Sequence, residues 1–221
     1  MLSRLRLLCL LPALVLGGCF GSDDRPVEVA AIGSSDSAFA AGPGFSAPAQ
    51  LLKAATAEGL VAFDEQGQVV PALADRWIVT DDGMSYIFRL RDGTWGDGSA
   101  ISGETARIAL TRAIASQRGT PLGLDLRVIA EVRAMAGRVI EIRLSSRQPE
   151  FLQVLAQPEL GLVRAGQGAG PMRLRREKDS AFLRPIPPQD RGMPQEPRWA
   201  KRARMLELNS AKAGSAIERF N

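Results

Sequence analysis

Asp82-Gly83-Met84-Ser85-Tyr86-Ile87-Phe88-Arg89-Leu90-Arg91-Asp92-Gly93 carries the clearest pattern in the chain. Tyr86, Phe88 and Leu90 alternate with Ile87, Arg89 and Arg91. Successive side chains of a strand point to opposite faces, so the first set is expected in a core and the arginines in water. Asp81-Asp82-Gly83 precedes the strand as a turn, with Trp77-Ile78-Val79-Thr80 on its far side, and an antiparallel hairpin is the economical reading. Asp92-Gly93 and Asp97-Gly98 then punctuate the chain. Ser102 stands where it can cap a helix over residues 103 to 116, with Glu104 in the positive first turn.

On either side of this segment the chain reads as mixed α/β. Residues 27 to 32 form a short apolar run with a Gly33-Ser34-Ser35 stop, a first strand. Residues 34 to 48 are rich in Ser, Gly, Pro and Ala and read as a loop that either lies on the surface or lines a cleft. Leu51, Leu52 and Ala55 have helical spacing within a short helix over 49 to 57. Downstream, 128 to 135 and 139 to 144 form a second hairpin about Ala136-Gly137-Arg138. A short helix is expected over 150 to 156, strands over 160 to 163, 172 to 174 and 205 to 208, and a helix over 211 to 220.

Composition narrows the function classes. The chain has 221 residues, 45% apolar and 24% charged, an ordinary globular composition. A chain of this length buries roughly 70% of the surface it exposes when unfolded, so it needs no metal or disulfide staple. Cys9 and Cys19 are the only cysteines and both lie near the N-terminus, so no disulfide framework holds the body. There is no histidine, which removes the commonest general base and the commonest metal ligand. The glycine run 166 to 170 lacks the Lys-Ser/Thr of a phosphate loop, and neither a dinucleotide fingerprint nor a Gly-x-Ser-x-Gly elbow occurs. No enzyme activity, cofactor or metal is expected. Arg173-Leu174-Arg175-Arg176 and Arg198-Trp199-Ala200-Lys201-Arg202-Ala203-Arg204 are locally basic, but acidic residues occur throughout and only Trp199 interleaves, so no nucleic-acid partner is expected.

The first nineteen residues have a different character. Arg4 and Arg6 give a positive start, residues 7 to 16 are an almost unbroken apolar run, and Leu16-Gly17-Gly18-Cys19 closes it with small residues before a cysteine. The run is shorter than the roughly 20 residues a membrane-spanning helix needs. It reads as a secretion leader, and Leu-Gly-Gly-Cys resembles the lipobox of bacterial lipoproteins. That resemblance implies removal of residues 1–18, lipidation of Cys19 and a polar tether over 19–26, with the body over 27–221.

Several segments together carry a family resemblance: Glu58-Gly59-Leu60-Val61, then Val69-Val70-Pro71-Ala72-Leu73-Ala74-Asp75-Arg76-Trp77, the opening Asp82 to Gly93 segment, and Trp95-Gly96-Asp97-Gly98. Their order and spacing resemble those of family 5 solute-binding proteins of ABC importers, the oligopeptide- and dipeptide-binding family. Gly103-Glu104-Thr105-Ala106, Gln148-Pro149-Glu150-Phe151-Leu152 and Gly168-Ala169-Gly170-Pro171-Met172 resemble later segments of that family. The resemblance implies an α/β fold of the class II periplasmic-binding-protein type with mixed sheets and hairpins. Since the family is usually about twice this long, it also implies one lobe plus part of the other, with the distal lobe missing.

The implied function is an extracytoplasmic receptor held to a bacterial membrane by its N-terminal lipid, with a peptide or other small solute and ABC permease subunits as partners. The alternative is a lipoprotein that keeps the scaffold lobe as a binding or assembly module. Family cleft contacts come from the loop after the first strand, which makes Ser34 and Ser35 the ligand-binding candidates. The motif residues themselves are most simply structural: Gly83, Gly93 and Gly98 in turns that need positive φ, Trp77, Tyr86, Phe88 and Trp95 in the core.

Overall fold

The computed structural model describes residues 25–34, 36, 46–178 and 180–211. Cys9, Cys19 and Ser35, and the helix expected over 211 to 220 from residue 212 onward, lie outside the described residues. In chain order the elements are β1 (Val27–Ile32), α1 (Ala47–Thr56), β2 (Val61–Phe63), β3 (Val69–Pro71), β4 (Ala74–Val79), β5 (Ser85–Leu90), α2 (Gly103–Ser116), α3 (Pro121–Asp125), β6 (Ile129–Ala134), β7 (Val139–Leu144), α4 (Phe151–Leu155), β8 (Val163–Arg164), β9 (Gln167–Gly168), β10 (Met172–Glu177), β11 (Ser180–Pro185), α5 (Trp199–Arg202) and β12 (Leu206–Ala211).

The strands make two four-stranded sheets. The antiparallel one, ordered β4-β5-β7-β6, holds the hairpin expected from Asp82 to Gly93. Its inner face carries Tyr86, Phe88 and Leu90 from β5 and Ile140, Ile142 and Leu144 from β7, all buried. Helix α2 packs on β6 and β7 through a narrow stripe of Gly103, Ala106, Ala109 and Leu110. Small side chains let the helix axis approach the sheet closely. Ser102 and Thr105 close a capping box: the Thr105 N–H donates to Ser102 Oγ at 3.2 Å and the Ser102 N–H to Thr105 Oγ1 at 3.0 Å. Trp95, fully buried, donates from Nε1 to the same Thr105 hydroxyl at 3.0 Å, tying the Trp-Gly-Asp-Gly motif to the start of α2.

The second sheet has the order β1-β12-β11-β10, with β1 and β12 parallel and the other pairs antiparallel. Helix α1 covers one face, where Leu52 meets Ala31, Ala181, Leu183 and Leu208. The chain leaves this sheet after β1 and α1, builds the antiparallel sheet, and returns for β10 to β12. Strands 27–32 and 206–211 therefore pair across nearly the whole described sequence.

Several expectations are corrected. Arg91 faces the interior and is 7% exposed, because β5 ends at Leu90 and the alternation of faces ends with it. Trp77 is only partly buried, packed against the rim of the core with its ring 6.5 Å from Phe88. Leu160 closes a 3-10 turn, Pro158–Leu160, rather than opening a strand, since proline at its start leaves no ladder donor; only Val163–Arg164 is extended. Ala211 ends β12 rather than beginning a helix. Helix α1 begins two residues early because Ser46 accepts the Ala49 N–H and Pro48 occupies the first turn.

Candidate functional site

Four of the recurring motifs converge in space around Arg91, just past the end of β5. Arg91 donates from Nη1 to Glu58 Oε2 at 2.6 Å and to the Ala72 carbonyl at 3.0 Å, from Nη2 to the Ala169 carbonyl at 3.3 Å, and from Nε to the Arg191 carbonyl at 2.9 Å. Four of its five N–H groups are therefore engaged. Arg191 brings a second guanidinium onto the other Glu58 oxygen. Burial draws the Arg91 guanidinium down to about 10, so it stays charged at neutral pH; burial lowers Arg191 as well.

The backbone around this cluster is equally constrained. The Leu73 and Ala74 N–H groups donate to the Gly59 and Leu60 carbonyls, and the Arg91 N–H to Leu73 O. Gly170 N–H donates to Thr56 O at 3.0 Å, and a Cβ on Gly170 would lie 2.3 Å from the Thr56 carbonyl carbon. Gly168 and Gly170 are thus pressed against the end of α1, where a side chain at either position would not fit. The other motif carboxylates serve turns. Asp82 accepts the Thr80 hydroxyl and the Met84 N–H, which hold its carboxyl below the usual carboxylate range, beside Gly83 at φ 66°. Asp97 is lowered chiefly by the Ser99 hydroxyl, then by the Ser99 N–H, and pairs with Arg164. These groups are built into the turns that hold them.

The candidate position for a ligand is the carboxyl end of the parallel pair β1 and β12, since in open α/β sheets ligands bind outside the carboxyl ends of strands. Gly33 N–H donates to Ala211 O at 3.0 Å there, and Ser34 follows, exposed at the rim. Ser180 and Asn209 hydrogen-bond across β11 and β12 at the same end, and the Asn209 amide donates to Glu207 at 3.2 Å. This rim carries hydroxyl and amide side chains, with Ser180 and Asn209 hydrogen-bonded to each other. Ser34, expected as a ligand contact, stands at this rim together with Ser180 and Asn209, which carried no signal in the sequence. The Glu58–Arg91 pairing carried none either, although both residues lie inside the recurring motifs. Among the described residues no group of three metal-ligating side chains occurs, and no helix is long and apolar enough to cross a membrane.

The fold is that of the class II periplasmic-binding proteins. Listeria monocytogenes OppA bound to peptide superposes with a TM-score of 0.70 at 16% identity, over 90% of this chain and 45% of that one. NikA from Brucella suis in complex with Fe(III)-EDTA gives 0.67 at 18% identity, over 84% and 39%. Residues 68–185, just over half the chain, match the bacterial extracellular solute-binding proteins, family 5 Middle, and the chain belongs to that family. Among its curated relatives are a probable deoxycholate-binding periplasmic protein of Escherichia coli, YgiS, 34% identical over 121 residues, and the nickel-binding periplasmic protein of the same organism, 34% identical over 103 residues. These alignments cover 47% and 46% of this chain but 23% and 20% of the relatives, so the chain spans well under half of each.

Proposed function

We propose that the chain is the membrane-anchored, extracytoplasmic substrate-binding component of an ABC importer, with peptides as its solutes. Family membership carries this reading. The peptide assignment is supported by the hydrogen-bonding character of the Ser34 rim and by likeness to proteins described as binding peptides. These include OppA and a probable di/tripeptide-binding protein of Pseudomonas aeruginosa, 63% identical over 35 residues. The relatives' solutes also include glutathione and nickel, so the titration must compare these classes. Ser34 and Ser35 are the proposed ligand contacts, and the ABC permease the proposed partner.

Calorimetric titration with tripeptides is expected to show saturable binding, weakened at least about tenfold, or roughly 1.4 kcal/mol, by Ser34→Trp with no change in melting temperature. Glutathione and a nickel–histidine complex should compete poorly. A folded chain that binds none of the three would instead favour a lipoprotein serving as a binding or assembly module. Anchoring through Cys19 is tested separately: Cys19→Ser should abolish incorporation of a clickable fatty acid and move the protein to the soluble fraction. Unchanged labelling would contradict it.

A further inference from the structure

The strands β11 and β12 are antiparallel neighbours, yet residues 186–205 separate them, twenty residues where a hairpin needs about two to five. This excursion carries the basic segment 198–204 and folds it, with α5, against the end of the sheet opposite Ser34. Val27 N–H donates to Met205 O at 2.8 Å, Val27 pairs with Leu206, and Leu206 with Leu183. The start of β1, the start of β12 and the end of β11 therefore share one end. A groove of about 540 Å³ opens there, lined by Arg184, Pro185, Pro187, Trp199, Arg204 and Met205.

We infer that this end of the molecule is a docking surface for an anionic phospholipid bilayer; the inference rests on the proposed anchoring at Cys19. From Cys19 to Arg25 there are six residue steps, each at most about 3.6 Å, so the backbone of the lipid-bearing residue can lie no more than about 22 Å from the start of the fold. The end where β1 begins is thus held at the membrane. Its chemistry suits that place. Among the described residues Arg184, Arg198 and Lys201 form no ion pair, and Arg204 donates to the Ala203 carbonyl. Arg202 pairs with Glu196, Asp190 lies earlier in the same excursion, and Glu28 and Glu207 stand one residue into their strands. Trp199 and the exposed Met205 and Val27 add apolar area among the cations, the combination that seats at a headgroup boundary. Docking there points the Ser34 rim away from the bilayer, because β1 runs from one end of the sheet to the other.

Hydrogen exchange on the full chain, as processed in cells and bound to vesicles, tests this. Amides of 193–205 are expected to exchange about tenfold more slowly on vesicles one-third phosphatidylglycerol than on pure phosphatidylcholine, with 85–90 unchanged as an internal reference. Each cation near an anionic surface contributes about a fivefold factor. Combined Arg198→Gln, Lys201→Gln and Arg204→Gln should therefore erase the protection while leaving the melting temperature alone, and half-molar salt should do the same. Equal exchange on the two vesicle types, or protection that survives the triple substitution, would overturn the docking surface. Protection on phosphatidylglycerol in a chain that incorporates no fatty acid would uphold the surface and refute the anchor.

Discussion

Arg91→Met is expected to lower the free energy of unfolding by about 3–5 kcal/mol, the usual result of removing one partner from a buried ion pair. The substitution leaves Glu58, with 14% of its side chain exposed, facing only Arg191. It also strips hydrogen bonds from the carbonyls of Ala72, Ala169 and Arg191. Those three carbonyls belong to three separate segments, so the loss is shared by the antiparallel sheet, the glycine run and the 186–205 excursion. Arg91→Lys should restore little of it. An ammonium has three donors at one point and cannot reach in four directions as the planar guanidinium does. Urea titration reads the effect, and a change below about 1 kcal/mol would mean that Arg91 is dispensable to the junction.

Phe88→Ala should cost about 3–5 kcal/mol. Phe88 is fully buried at the centre of the antiparallel sheet, between Trp77 on β4 and Ile140 on β7, and truncation to Ala opens a cavity that close-packed neighbours cannot fill. Arg89, one residue on, is exposed on the opposite face and its truncation should stay within about 0.5 kcal/mol. Equal effects at the two positions in the same titration would mean that the face assignment is inverted.

Local pattern made much of this fold legible. The alternation of Tyr86, Phe88 and Leu90, the cap at Ser102 and the Ala136-Gly137-Arg138 turn each act over a few residues, and the elements they specify formed with ends within about one residue of expectation. What stayed hidden depends on distance. Strand β11 pairs Ala181 and Leu183 inward, but its hairpin partner β10 presents Arg173, Leu174, Arg175 and Arg176, which read as polar surface. The three-residue strands β2 and β3 are too short for any periodicity to register, and form around Asp64, which accepts the N–H groups of Gln66 and Gln68. Arg91 and Glu58 lie 33 residues apart, and no spacing rule joins them. Of the candidate rim only Ser34 was legible, through family resemblance; Ser180 and Asn209 lie there because β12 returns to lie beside β1.

The recurring motifs of this chain form a clamp, in which Arg91 ties together the segments of Glu58, Ala72 and Ala169. A double-mutant cycle on Glu58→Gln and Arg91→Met, read by urea unfolding, addresses that directly. If the two residues hold the junction as one unit, the double variant should be more stable than the sum of the single losses implies. The coupling should be at least about 1.5 kcal/mol, within the range found for residues in one buried network. Losses that add to within about 0.5 kcal/mol would show the two acting independently and would contradict the clamp.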